Sequence, residues 1–161
     1  MPRYEVLHFA GHSVASVERP WSSRLLLAPD PAVPGDTGSL YARDLMGLRL
    51  PKAEVVVLAS CATASGRVVP GEGPLNLARP FLAAGARHVV ASLWDVNDLT
   101  STGLLRHFHR ELRGGASCAR ALQAAQVEAI QGGPAFSAPA AWAGFLAFGG
   151  DDLETARKEE R

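Results

Sequence analysis

Short apolar runs, separated by polar and glycine-bearing segments, set the rhythm of the chain. Tyr4 to Ala10 (YEVLHFA) reads as a buried strand broken by Gly11. Glu54 to Ser60 (EVVVLAS) has consecutive valines and short polar flanks, the mark of a strand buried on both faces, and it ends at Cys61. Arg87 to Trp94 (RHVVASLW) predicts another strand of this kind, and Trp142 to Phe148 (WAGFLAF) a last one. Helical periodicities lie between them. Ser39 is a candidate cap for a helix over about 40–48, with Leu40, Leu45 and Leu48 on one face and Pro51 as its stop. Pro74 opens a helix that Gly85 closes, with Leu75, Ala78 and Leu82 inward and a kink expected at Pro80. Leu104, Phe108 and Leu112 mark a helix that Asp98 can cap and Gly114 ends, and Ser117 caps another running to about Ile130. Ser13 to Gly38, punctuated by proline and glycine around Leu25, Leu26 and Leu27, predicts a mobile excursion enclosing one short strand or hairpin arm.

Strands that alternate with helices imply right-handed crossovers and a parallel sheet covered on both faces. Ligands of such sheets bind outside the carboxyl ends of the strands, where loops and helix N-termini converge. Candidate chemistry is therefore sought at those ends.

Length and charge narrow the class further. A chain of 161 residues is the size of one domain. Sixteen Lys+Arg balance sixteen Asp+Glu, so there is no global basic field to draw nucleic acid or an anionic membrane. The two cysteines, Cys61 and Cys118, make no disulfide framework. No apolar run approaches the ~18 residues of a membrane span, and the opening residues lack the apolar core of a signal peptide. A reducing cytoplasm is the expected compartment. The tail Asp151 to Arg161 is charged without an apolar stripe and reads as a solvated end or linker stub.

His12 lies just past the first strand and Cys61 directly past the second, with one crossover helix between them. Neighbouring parallel strands would bring a thiol and an imidazole to one rim. A nearby His can raise the thiolate fraction and deliver a proton to a leaving amine, while backbone N–H groups beside the nucleophile hold an oxyanion. The plainer reading is inert packing, since free Cys is among the most buried residue types. His8 and His12 share one strand face, which raises the question of metal. Cys61 is the only third ligand in view, and Cys-x-x-Cys and His-Glu-x-x-His spacings are absent, so neither metal nor cofactor is expected. His8 reads as a core or supporting residue, His107 and His109 with Arg106, Arg110 and Arg113 as a solvated helix face, and Cys118 as structural.

The runs LHFAGH, VVVLASCATASG, GEGPLNLARPFLAAGARHVVASLWDVND and WAGFLAFGG, in this order from about Tyr4 to Gly149, together resemble the peptidase half of a CHAT domain. CHAT proteins are relatives of caspases and separases in the caspase-like clan of cysteine peptidases. The resemblance implies an α/β fold, a caspase-like three-layer αβα sandwich with a mostly parallel sheet. It also implies a partial peptidase domain over 1–150, short of the N-terminal strands of the full domain, followed by the tail 151–161. On this likeness His12 is the catalytic histidine and Cys61 the nucleophile, and the backbone N–H groups of Ser13 and Cys61 form the oxyanion hole. Ser13 stands where family members usually carry glycine.

The block SLWDVND resembles a separase segment whose acid groups help a pocket accept arginine. Asp98, or else Asp95, would then pair with a basic P1 residue. Asp98 reads equally well as a helix cap, and Trp94 as pocket wall or core. Glu72 matches the acidic position that opens the helix in the family. The implied function is a cysteine endopeptidase cutting proteins after a basic residue. The rival is a non-catalytic CHAT-derived interaction module in a signalling or defence pathway, and a thiol-dependent acyl hydrolase is a third reading. The expected partners are a protein substrate or partner protein, with no nucleic acid and no membrane. A complementing chain or second copy would pair through an exposed sheet edge.

Overall fold

The computed structural model describes residues 5–69 and 73–150. Five residues, β1 (Val6–Ala10), run parallel to β5 (Val55–Ala59), with Val6 opposite Val55 and Ala10 opposite Ala59. Strand β5 in turn runs parallel to β8 (His88–Ser92), and β9 (Phe145–Gly149) closes the order β1-β5-β8-β9 antiparallel to β8. Strands β5 and β8 find apolar cover on both faces, whereas β1, expected to be a buried strand, alternates exposed and half-buried residues because it lies at the sheet edge with one face largely uncovered.

On one face Val56, Leu58, Val89 and Ala91 pack with Leu45 of α1 (Ala42–Leu45) and Phe81 of α2 (Ala78–Ala83). On the other, Val55, Val57 and Val90 meet Leu104 and Phe108 of α3 (Asp98–Arg113) and Ala121 and Ala125 of α4 (Cys118–Gln131). The result is a mixed α/β, three-layer αβα architecture of the caspase-like kind, its four-stranded sheet mostly parallel. Two single-turn helices, α5 (Pro134–Ser137) and α6 (Pro139–Trp142), lead into β9. The last strand therefore starts at Phe145 rather than at Trp142. No helix of the described residues is long and apolar enough to cross a membrane.

Several local expectations are corrected. The Pro- and Gly-bearing excursion holds a three-stranded antiparallel sheet, β2 (His12–Val14), β3 (Arg24–Leu26) and β4 (Ser39–Tyr41), rather than one hairpin arm. Ser39 and Leu40 belong to β4, so Ser39 caps nothing. The helix is one turn long, with the Asp44 carboxylate accepting from the Tyr41 N–H at 3.1 Å, and Leu48 is 43% exposed. Pro74 lies in β7 (Gly73–Leu75), which pairs with β6 (Arg67–Val69). The helix start falls instead to Asn76, whose side-chain oxygen accepts from the Ala78 and Arg79 N–H groups. Pro80 then sits in the first helical turn, where a missing N–H interrupts no hydrogen bond, so its ring kinks nothing. Glu72 and the tail 151–161 lie outside the described residues.

Candidate active site

Where β5 ends, the chain turns sharply. Ala62 takes φ 53°, the one positive φ outside glycine among the described residues, in a region that costs an L-residue about 1–2 kcal/mol. Buried hydroxyls over-determine this turn. Ser92 Oγ donates to the Ser60 carbonyl, the Ser92 N–H donates to Thr63 Oγ1 at 3.0 Å, and Thr63 Oγ1 donates to the Leu58 carbonyl at 3.2 Å. The Ala64 N–H reaches the Ser92 carbonyl at 2.6 Å and the Ala62 N–H the Trp94 carbonyl at 3.2 Å. Thr63 and Ser92 are fully buried, yet Cys61 between them and the strand is exposed. The local fold thus holds a thiol out of the sheet on a stiff support.

His12 is delivered by the other edge of the same rim. Gly11 separates β1 from β2, and a Cβ there would come within 2.9 Å of the tip of the Phe9 ring, which would have to shift to admit it. The exposed His12 opens β2. Alternation along the small sheet settles the direction of the next N–H. The Leu27 N–H bonds the Gly38 carbonyl and the Ala42 N–H the Ser23 carbonyl, so Ser23, Leu25 and Leu27 turn their backbone groups toward β4. Arg24 and Leu26 therefore turn theirs toward β2, where they face Val14 and His12, and Ser13 opposite Leu25 directs its N–H away from β3. The Ser13 hydroxyl donates to the Cys61 carbonyl at 2.7 Å. The Cys61 N–H has no backbone partner among the described residues.

His12, Cys61 and Asp98 line one open groove of about 600 Å³. It exists because α3 and α4 cover β5, β8 and β9 but meet the same face of β1 only where His109 stacks on His8, leaving Val6 at 42% exposure. No hydrogen bond joins thiol and imidazole; catalytic contacts of this type often tighten only with substrate bound. Asp98 is free for the groove because Asn97 takes the cap: its side-chain oxygen accepts from the Leu99 and Thr100 N–H groups at 3.0 and 3.3 Å. The expected capping role of Asp98 thus passes to its neighbour. Asp95 and Trp94 are not among the groove's lining residues. Asp95 is exposed, and Trp94 donates its Nε1–H to the Ala140 carbonyl at 3.3 Å, with its ring so close to Gly144 that a Cβ would fall 2.9 Å from it.

The far end of the groove differs from expectation. His109 is not on a solvated face: its Nε2 lies 2.8 Å from His8 Nδ1, the rings stack at 4.9 Å, and both line the groove with Arg106. Partial burial holds both imidazoles below the ordinary histidine value, helped for His8 by His109 and for His109 by Arg113. His107 is likewise not solvated, being flanked by Glu111 at 3.2 Å and Glu128 at 3.8 Å. Asp98, Thr102, Leu105, Arg106 and His109 recur at helical spacing, and that was the available signal for a groove wall. Burial pushes the Cys118 thiol up to about 11, which keeps it protonated and inert. Among the described residues, no three His, Cys, Asp or Glu side chains are grouped to share a metal ion.

The profile of the CHAT domain family matches residues 1–150. Tetratricopeptide repeat protein 28 of Mus musculus is 40% identical over 112 residues, and its Homo sapiens counterpart 38% over 112 residues. Each alignment takes in 70% of this chain and 4% of the relative, so the chain corresponds to a small part of those proteins.

Proposed function

Because the chain belongs to the CHAT domain family, we propose that it is a cysteine endopeptidase of the caspase/separase type, cutting proteins after a basic residue. The observation that carries this reading is the common groove, in which Cys61, His12 and Asp98 meet from two strand ends and one helix N-terminus. Cys61 Sγ attacks the scissile carbonyl carbon, and the charge that develops on the oxygen is held by the Ser13 and Cys61 N–H groups. His12 donates its proton to the leaving amine as the C–N bond breaks, leaving a thioester. Water then loses a proton to His12 and attacks, releasing the acid and the thiolate. Asp98 receives the guanidinium or ammonium of P1. The reaction needs no cofactor.

The edge of β1, unpaired among the described residues, supports a complementing strand from another chain or a second copy of this one. The relatives' name supports a setting in which tetratricopeptide repeats accompany the domain. The cytoplasm is the compartment that suits a reduced, reactive thiol.

A second reading, a non-catalytic interaction module, is favoured by the absence of a thiol–imidazole hydrogen bond. An arginine-directed acyloxymethyl ketone separates the two. Covalent labelling that disappears in Cys61→Ala and falls steeply in His12→Ala is expected. A folded wild-type chain that takes no label at Cys61 would leave only the module.

A further inference from the structure

The side chain at position 13 has no part in the chemistry above, yet its hydrogen bond crosses a structural divide. The ladder between β1 and β5 stops at Ala10 and Ala59. Beyond it the chain through His12 leaves with the small antiparallel sheet, while the Cys61 turn is braced from the opposite side by Thr63 and Ser92. Among the described residues, the 2.7 Å bond from Ser13 Oγ to the Cys61 carbonyl is the only hydrogen bond between the β2–β3–β4 sheet and that turn. The two sides also differ in stiffness. The Cys61 turn is held by several buried bonds, whereas β2 is a three-residue edge strand hinged to β1 at Gly11. His12, the first residue of β2, has no hydrogen bond of its own side chain to fix it.

We propose that the Ser13 hydroxyl is a positioning residue: it tethers β2 to the nucleophile turn and so sets His12 and the Ser13 N–H against Cys61. Its catalytic consequence rests on the peptidase reading; the tether itself does not. The hydroxyl performs by a side-chain bond what the fold leaves undone once the ladder has ended. Because the acceptor is the carbonyl of the nucleophile itself, loss of the bond frees imidazole and oxyanion donor together.

Two measurements on the full chain test this. With the arginine-directed ketone, Ser13→Ala should lower the maximal inactivation rate about 10- to 100-fold, as a misplacement of about 1 Å does, with the probe's binding constant within about threefold. Ser13→Thr, which keeps the hydroxyl, should restore the rate to within about threefold of wild type. Alkylation of Cys61 by iodoacetamide, which needs the thiolate but neither the oxyanion donors nor a proton delivered to a leaving group, should fall less than the ketone rate in Ser13→Ala, uncomplicated by Cys118, whose buried thiol stays protonated up to about 11.

The second measurement needs no turnover. Capping Cys61 with a methylthio group should move the His12 ring resonances in wild type and in Ser13→Thr, but not in Ser13→Ala. Retention of both the inactivation rate and the His12 response in Ser13→Ala would overturn the tether. A wild type that takes no ketone label but keeps a Ser13-dependent His12 response would overturn the peptidase reading and leave the tether standing.

Discussion

Ser92→Ala probes the support beneath Cys61, the proposed nucleophile. Ser92 is fully buried on β8, and its hydroxyl does two things: it donates to the Ser60 carbonyl and stands 3.4 Å from the Thr63 N–H. Alanine leaves the Ser60 carbonyl with only the long 3.4 Å approach of Thr63 Oγ1, and leaves the Thr63 N–H with no acceptor. Thr63 Oγ1 itself stays satisfied through the Leu58 carbonyl and the Ser92 N–H, so the damage is local. A buried polar group left unpaired costs about 1–3 kcal/mol, and a lost neutral hydrogen bond about 0.5–1.5 kcal/mol. The two descriptions overlap here, so the expected destabilisation is about 2 kcal/mol. For a domain of this size about 2–4 °C follows from each kcal/mol, giving a fall in Tm of about 4–8 °C. Thermal unfolding followed by circular dichroism reads it, with Ser39→Ala as a control because Ser39 makes no side-chain hydrogen bond in β4. The same loss releases the left-handed Ala62, so ketone labelling of Cys61 should slow more than stability alone explains. Ala62→Gly, which adopts φ 53° without strain, should recover part of that rate in the Ser92→Ala background without recovering the orphaned N–H. A Tm within about 1 °C of wild type, far below the shift expected for a buried orphan, would refute the idea that these hydroxyls hold the turn.

Other consequences concern the groove and its wall. Asp98→Asn should lower kcat/KM for an Arg-P1 peptide relative to a neutral one by about 10- to 150-fold, the equivalent of about 1.5–3 kcal/mol for a hydrogen bond to a charged group. Asp95→Asn, at a residue outside the groove, should change that ratio little, and equal ratios in both variants would remove the acidic pocket. Asn97→Ala removes the oxygen that accepts from Leu99 and Thr100, and should cost about 1 kcal/mol by urea titration; an unchanged midpoint would mean that Asp98 takes over the cap. His8 and His109 are both held below 6.5 in the folded chain, so the unfolded chain binds protons first as pH falls. Their contribution to stability is therefore whole above about pH 6.5 and declines beneath it, until the folded rings titrate in turn. Urea midpoints at descending pH should show that decline, flattened in His109→Gln. An identical slope in the variant would place the pH dependence elsewhere.

What the sequence made legible was whatever depends on burial over a continuous run. The valines of β5 and β8 had to lie between two layers, and the carboxyl ends of neighbouring parallel strands had to form a rim, which put Cys61 past β5 and His12 past β1 in the same region. The Ser117 cap was readable because one capping residue precedes one amphipathic run, and its Oγ does accept from the Arg120 N–H. At the start of α3 two favoured capping residues, Asn97 and Asp98, stand side by side, and local preference does not choose between them. The choice falls to the phase at which Leu104 and Phe108 meet the sheet, a tertiary quantity. The small sheet was hidden for a related reason. Its strands are three residues long, too short for alternation to register, and they exist only through pairing across intervening prolines. His109 looked solvated because its helix neighbours are arginines. Its actual cover is His8, 101 positions away in the chain, and no local pattern reports that contact.

The groove is a mismatch between layers more than a cavity in either of them. Helices α3 and α4 reach across β5, β8 and β9 and touch β1 only where His109 stacks on His8, so that Val6, His8 and Ala10 face outward over the groove while Leu7 and Phe9 pack inward. That arrangement limits how a complementing element can coexist with catalysis. A strand added at the edge of β1, which is unpaired among the described residues, bonds in the plane of the sheet and satisfies the open backbone groups. A helix laid over His8 and Ala10 would bury them against Leu105 and His109 and fill the same volume that a substrate chain needs. On the peptidase reading, edge pairing leaves the groove open to a substrate chain and a helix across the face closes it. A partner that pairs at the edge is expected to leave labelling of Cys61 intact, and one that lies across the face to abolish it.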